Sequence, residues 1–127
     1  MELIKILKLI SNTTRLRILN LLKEREVCNC ELKEVLKISQ PAVSKHIKKL
    51  KNFGLINKRE DGWWSYYSIN FKNPEIRKII LSFLDIISSD NKIKADLKKL
   101  YNIKCLSVEK KNEGYKNKSK KDILKYR

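Results

Sequence analysis

Three thiols carry the most selective chemistry in this 127-residue chain: Cys28, Cys30 and Cys105. Thiolates are soft ligands that select thiophilic centres. An odd number of cysteines fits reduced thiols in a cytoplasm better than a disulfide framework. Cys28 and Cys30 flank Asn29 at the start of a short helix expected over Glu31 to Leu36. On a regular helix, residues two apart point about 200° away from each other. Both sulfurs therefore reach one atom only where the helix start is non-helical or unwinds. Two other readings stand beside a ligand pair. The cysteines can be small buried hydrophobes, or Cys30 and Cys105 can form a redox or persulfide-sensing couple. No enzyme is expected. The single histidine, His46, lies in a helix suited to DNA, no nucleophile–base pair is apparent and no Gly-rich phosphate loop is present.

The elements around the thiols are mostly helical. Leu3, Ile6, Leu7 and Ile10 give a first helix one apolar face, and Ser11-Asn12-Thr13-Thr14 ends it and caps the next. Arg15 to Lys23 is apolar over more than half its circumference, which predicts a core helix ended by Glu24-Arg25-Glu26. After the short third helix, Lys37-Ile38-Ser39 is a turn. Ser39 caps a fourth helix and Pro41 is tolerated in its first turn. In that helix Val43, Ile47, Leu50 and Phe53 face inward, and Gly54 is the stop. Its other side carries Ser44, Lys45, Lys48 and Asn52, flanked by Lys49 and Lys51. Short polar groups near the start and ammonium groups further along suit a DNA major groove, although a solvated lysine face alone would look the same.

Leu55 to Glu60 reads as a strand, Asp61-Gly62 as a two-residue hairpin turn and Trp63 to Ile69 as the return strand. A hairpin behind such a helix is a wing, with Lys58 and Arg59 placed to lie along the DNA backbone. At least half of its aromatic rings are expected to pack on the core. Asn73 and Pro74 open a last long helix with a possible bend over Ser88-Ser89-Asp90-Asn91 and an end near Tyr101. Its apolar face, with the first helix, suggests a two-fold dimer interface. The fold class is thus mainly α with a small β-hairpin, a winged helix-turn-helix dimerising through its terminal helices. One domain is expected over residues 1–106, followed by a flexible basic tail over 107–127.

Charge agrees with this arrangement. The net charge is +16; the tail accounts for +5 of it, which leaves +11 on the remainder. A polyanion is the expected partner. No apolar run approaches the roughly 20 residues of a membrane span. The start of the chain alternates charged with apolar residues as a helix does, unlike a signal peptide. The expectation is a cytoplasmic protein bound to double-stranded DNA, with no membrane partner. An architectural DNA-binding protein that senses no inducer and shows little sequence preference is the alternative of a different class.

Together these residues resemble the arsenic-repressor (ArsR/SmtB) family of winged-helix repressors. The matching motifs are Asn12-Thr13-Thr14-Arg15-Leu16-Arg17-Ile18-Leu19, Cys28-Asn29-Cys30-Glu31-Leu32 and Ser39-Gln40-Pro41-Ala42-Val43-Ser44-Lys45-His46-Ile47, then Gly54-Leu55-Ile56 with Arg59, Gly62, Trp64, Tyr67 and Ile69. They follow family order and spacing from about Leu3 to Tyr101. The resemblance implies a homodimer that blocks transcription at an operator and leaves when an inducer binds. Ser39, Gln40, Ser44 and His46 match the recognition-helix motif, and base contact carries over to Gln40 and Ser44. His46 borders the apolar stripe, which favours packing over base reading. With Ser39, Lys45, Lys48, Lys49, Lys58 and Arg59, these two residues make up the expected DNA-binding set.

The family's terminal-helix zinc site needs histidines that this last helix lacks, and no cysteine precedes Cys28 to build an N-terminal site. What remains is Cys28 and Cys30, similar to the Cys-x-Cys of arsenite-responsive members. Their third cysteine usually follows three residues later, where this chain has Lys33. Cys105 is the candidate third ligand, from either subunit. The expected inducer is As(III) or Sb(III), with no obligatory cofactor. Binding would distort the start of the third helix and shift the recognition helix that follows it.

Overall fold

A computed structural model describes residues 2–103 of the chain. Six helices and three short strands follow in the order α1 (Glu2–Ile10), α2 (Thr13–Glu24), β1 (Val27–Cys28), α3 (Asn29–Leu36), α4 (Gln40–Asn52), β2 (Ile56–Asp61), β3 (Trp64–Ile69), α5 (Pro74–Ile87) and α6 (Asn91–Asn102). Cys105 and the 107–127 tail lie outside the described residues.

Helix α2 is the centre. Asn12 caps it by accepting the Arg15 N–H at 3.0 Å, and Ile18, Leu19, Leu21 and Leu22 are buried around its girth. The broad apolar pattern is therefore core, as expected. Helix α4 starts with the Ser39 hydroxyl accepting the Ala42 N–H at 3.3 Å. It ends in a Schellman motif. The Leu55 N–H reaches the Leu50 carbonyl at 3.1 Å, the Gly54 N–H reaches that of Lys51 at 2.8 Å, and Gly54 takes φ +72°. Leu50 and Leu55, both buried, complete the apolar contact of that motif. The α3–α4 turn is made at Lys37, whose left-handed conformation (φ 53°, ψ 46°) lets its N–H close on the Lys33 carbonyl at 2.9 Å.

Four details differ from the sequence expectation. The hairpin pairs Asp61 with Trp64, so its two turn residues are Gly62 and Trp63 rather than Asp61 and Gly62. Gly62 at φ +61° supplies the positive φ that the first position of such a turn demands. A third strand, β1, joins the sheet in the order β1-β3-β2, with Val27 opposite Tyr67 and Cys28 opposite Tyr66. The last long helix is two helices. Ser88 turns back on Asp85, its hydroxyl donating to the Asp85 carbonyl at 2.6 Å, and Asp90 caps α6 through the N–H groups of Lys92 and Ile93. Finally, α6 folds onto its own chain. Ile93, Asp96 and Leu100 are buried, and Arg17 of α2 donates to both Asp96 oxygens at 2.7 and 2.8 Å. Helices α1 and α5 leave Leu3, Ile4, Phe83 and Ile86 exposed, the last 72%.

Candidate functional site

Cys28 ends β1 and serves as the N-cap of α3. Its extended backbone (φ −83°, ψ 161°) takes it out of helical geometry, so the opposed orientation of residues two apart does not apply. The Cys28 and Cys30 sulfurs lie 2.9 Å apart. Cys30 is disulfide-bonded in this structure, so the two sulfurs can hold one atom only after Cys30 is reduced. With metal–thiolate bonds of about 2.3 Å, that step needs no unwinding of the helix. The expectation that the helix start must be non-helical is met by the capping residue itself. Cys28 is fully buried and Cys30 half-buried, which opens the pair to solvent on one side.

A capping box fixes the pair. The Glu31 N–H donates to the Cys28 sulfur at 3.4 Å, and the Cys28 N–H donates to a Glu31 carboxylate oxygen at 3.1 Å. Glu31 is itself buried and held by the Arg25 guanidinium. Lys33, which stands where a third cysteine would fall, is exposed. Among the described residues no group of three metal-binding side chains forms.

The second assembly is α4. Ser39, Ser44, Lys45, Lys48 and Lys49 are exposed along one side, with Gln40 half-buried at the start, while Val43, Ile47 and Leu50 are buried opposite. Of the expected DNA-facing residues the structure brings these six onto one helix. Phe53, expected to face inward, is 39% exposed because the chain leaves the helix at that residue.

The model of the "Bacterial regulatory protein, arsR family" matches residues 12–58, a span from the α2 cap through the thiols and α4 into the wing. The "Arsenical resistance operon repressor" of Staphylococcus aureus is 40% identical over 90 residues, 71% of this chain and 84% of that protein. The chain belongs to the ArsR family. It is a DNA-binding transcriptional repressor of that family and not an enzyme. Reduced HlyU from Vibrio cholerae, 29% identical, superimposes with a TM-score of 0.58 over 68% of this chain and 85% of that one. A homodimeric winged helix-turn-helix domain from Mycobacterium bovis, 21% identical, shares the fold with a TM-score of 0.56 over 71% of this chain and 81% of that one.

On this ArsR-family scaffold the wing residues are bound differently from the α4 lysines. Lys58 pairs with Glu60 at 3.1 Å, and that hydrogen bond raises its pKa above the ordinary lysine value. Arg59 donates to both Glu26 oxygens, at 3.1 and 2.5 Å, and its guanidinium stacks 4.5 Å from the centre of the Tyr66 ring. Arg59 thus lies against the sheet while staying exposed to solvent, and nothing in the basic character of β2 foretells this. Of the four wing-tip aromatics, Tyr66 and Tyr67 are buried, Trp64 is half-buried and Trp63 is 93% exposed at the turn. His46 is half-buried, and its Nδ1 is buried without a hydrogen bond. Burial lowers its pKa, with Arg15, Lys49 and Lys45 adding to the effect, so the ring is neutral near pH 7. No described helix is long and apolar enough to cross a membrane.

Proposed function

We propose that this ArsR-family repressor holds its operator as a homodimer and releases it when As(III) or Sb(III) bonds to Cys28 and Cys30, with Cys105 as third thiolate. The observation that carries this reading is the 2.9 Å separation of two sulfurs at the N-cap of the helix that precedes α4. A cellular dithiol first reduces the Cys30 disulfide and is itself oxidised to a disulfide. Each arsenic–sulfur bond then replaces an arsenic–hydroxyl bond, and the thiol proton leaves with the hydroxide as water. Bonding withdraws the Cys28 sulfur from the Glu31 N–H, so the α3 cap weakens as the inducer binds. Helix α3 ends at the Lys37 turn that aims α4, and a change at one end of an eight-residue helix reaches the other. Coupling of this kind amounts to about 1–3 kcal/mol, or about 5- to 150-fold in operator affinity. Gln40 and Ser44 read base edges, and Ser39, Lys45, Lys48 and Lys49 hold phosphates. The partner subunit covers Leu3, Ile4, Phe83 and Ile86, in keeping with the homodimer described for the Mycobacterium bovis domain.

The experiment is fluorescence anisotropy on the protein's own promoter DNA, with As(III), Sb(III), Zn(II), Cd(II) and polysulfide added in turn. Release by As(III) or Sb(III) supports the reading. Release by polysulfide alone overturns it in favour of a persulfide sensor using Cys30 and Cys105. That second reading draws on the half-buried position of Cys30, where dissolved oxidants can reach a sulfur, and on a solved relative described in a reduced form.

A further inference from the structure

A closed circuit of contacts joins the thiol pair to the wing. The Cys28 N–H donates to Glu31, and Glu31 accepts from Arg25. Arg25 also donates to the Glu26 carbonyl at 2.7 Å, and the Glu26 carboxylate accepts both Arg59 bonds. Arg59 stacks on Tyr66, and Tyr66 pairs with Cys28 across β1 and β3. A second tie runs beside it, from the Ser65 N–H to the Asn29 side chain at 3.4 Å. Three ties reach the hairpin, Glu26–Arg59, Cys28–Tyr66 and Asn29–Ser65, and each departs from a residue within two positions of Cys28.

This has two physical consequences. A guanidinium whose Nε and Nη2 hold a carboxylate in a fork above an aromatic ring has its position set by those two contacts rather than by a phosphate. And β1 pairs with β3 at Cys28 itself, so a shift at Cys28 acts directly on that pairing.

Resting on the inducer reading above, we infer that Glu26 and Arg59 are positioning residues that transmit the state of the Cys28/Cys30 pair to the wing, so that the inducer misaligns the hairpin as well as α4. On this account Arg59 makes no phosphate contact. Its role is to carry a displacement at Cys28 and Glu26 across to β2 and β3.

The test uses the full chain with Glu26→Gln, Arg59→Gln and the double substitution, measured on operator DNA across a salt series with and without As(III). Glu26→Gln is isosteric at a partly exposed position, so folding is retained. The expected result is operator affinity within about threefold of the parent without As(III), an unchanged salt slope for Arg59→Gln, and release by As(III) cut to a few-fold in all three proteins. The double substitution should be no worse than either single one, because both act through one contact. A parallel readout is the emission of Trp63 at the wing tip in a Trp64→Phe background, which As(III) should shift without DNA and should no longer shift once Glu26→Gln is added. Parent and Glu26→Gln proteins released equally by As(III) would overturn this inference alone. So would a fall of about one in the salt slope of Arg59→Gln, the mark of a lost phosphate contact. A parent protein not released by As(III) at all overturns the inducer reading, and this inference with it.

Discussion

Arg17 and Asp96, 79 residues apart, meet in a two-pronged ion pair that is nearly excluded from solvent and locks α6 onto α2. Partnership with Asp96 raises the Arg17 pKa above its ordinary value, so the Arg17 guanidinium stays charged. Removing one member leaves a buried charge unpaired, which typically costs about 3–5 kcal/mol. Asp96→Ala should therefore lower the denaturation midpoint sharply, whereas an apolar pair, Arg17→Met with Asp96→Leu, should recover most of the loss. Chemical denaturation of the three proteins checks this, and equal stability of Asp96→Ala and parent would contradict it.

His46 sets a pH dependence. Its folded pKa lies below the unfolded value of about 6.5, so the unfolded chain takes up a proton that the folded chain refuses. Stability is therefore full above about pH 6.5. It declines as pH falls from there toward the lowered folded value. Replacing His46 with Gln should flatten that decline without altering the neutral-pH plateau. Denaturation midpoints between pH 5 and 8 are the measurement.

The α4 surface separates into readers and holders. Lys48→Ala should weaken all DNA sequences alike and reduce the salt slope by about 0.9. Gln40→Ala should instead cost about 1–3 kcal/mol on the operator and little on unrelated DNA. Anisotropy titrations on both DNAs tell these apart, and a Lys48→Ala protein with an unchanged slope would remove that residue from the phosphate contacts.

The exposed apolar patch on α1 and α5 makes a prediction about assembly. A carboxylate at Ile86 or Phe83 would be buried without a partner in a dimer and solvated in a monomer. Ile86→Glu and Phe83→Glu should therefore sediment as folded monomers at micromolar concentration and lose most operator affinity. Unchanged dimers would place the interface elsewhere.

Much of this architecture is legible in the sequence because it is local. The wide apolar girth of α2, the Ser39-x-Pro41 start and the Gly54 stop of α4 each declare an element within a few residues. What is not legible there depends on contacts between distant residues. A two-residue strand has no periodicity to reveal β1, and its pairing with Tyr66 exists only once the hairpin has folded back. The Arg59–Glu26 fork spans 33 residues and looks like surface charge in the sequence. The break at Ser88 to Asp90 is legible as a bend, but its result, α6 turned inward on Asp96, is not. The thiol pair lies between these cases. Its spacing pointed to a ligand pair and to a non-helical start, but only the Cys28 cap geometry shows that the sulfurs already meet.

The most direct test of the central claim compares operator release by As(III) in the parent protein, in Cys28→Ser and in Cys30→Ser. Both substitutions keep a capping or near-isosteric side chain, so operator binding without As(III) should stay close to that of the parent. The account predicts parent release of about 5- to 150-fold and no release in either variant. A Cys28→Ser protein that left the operator as readily as the parent would show that the inducer is sensed elsewhere.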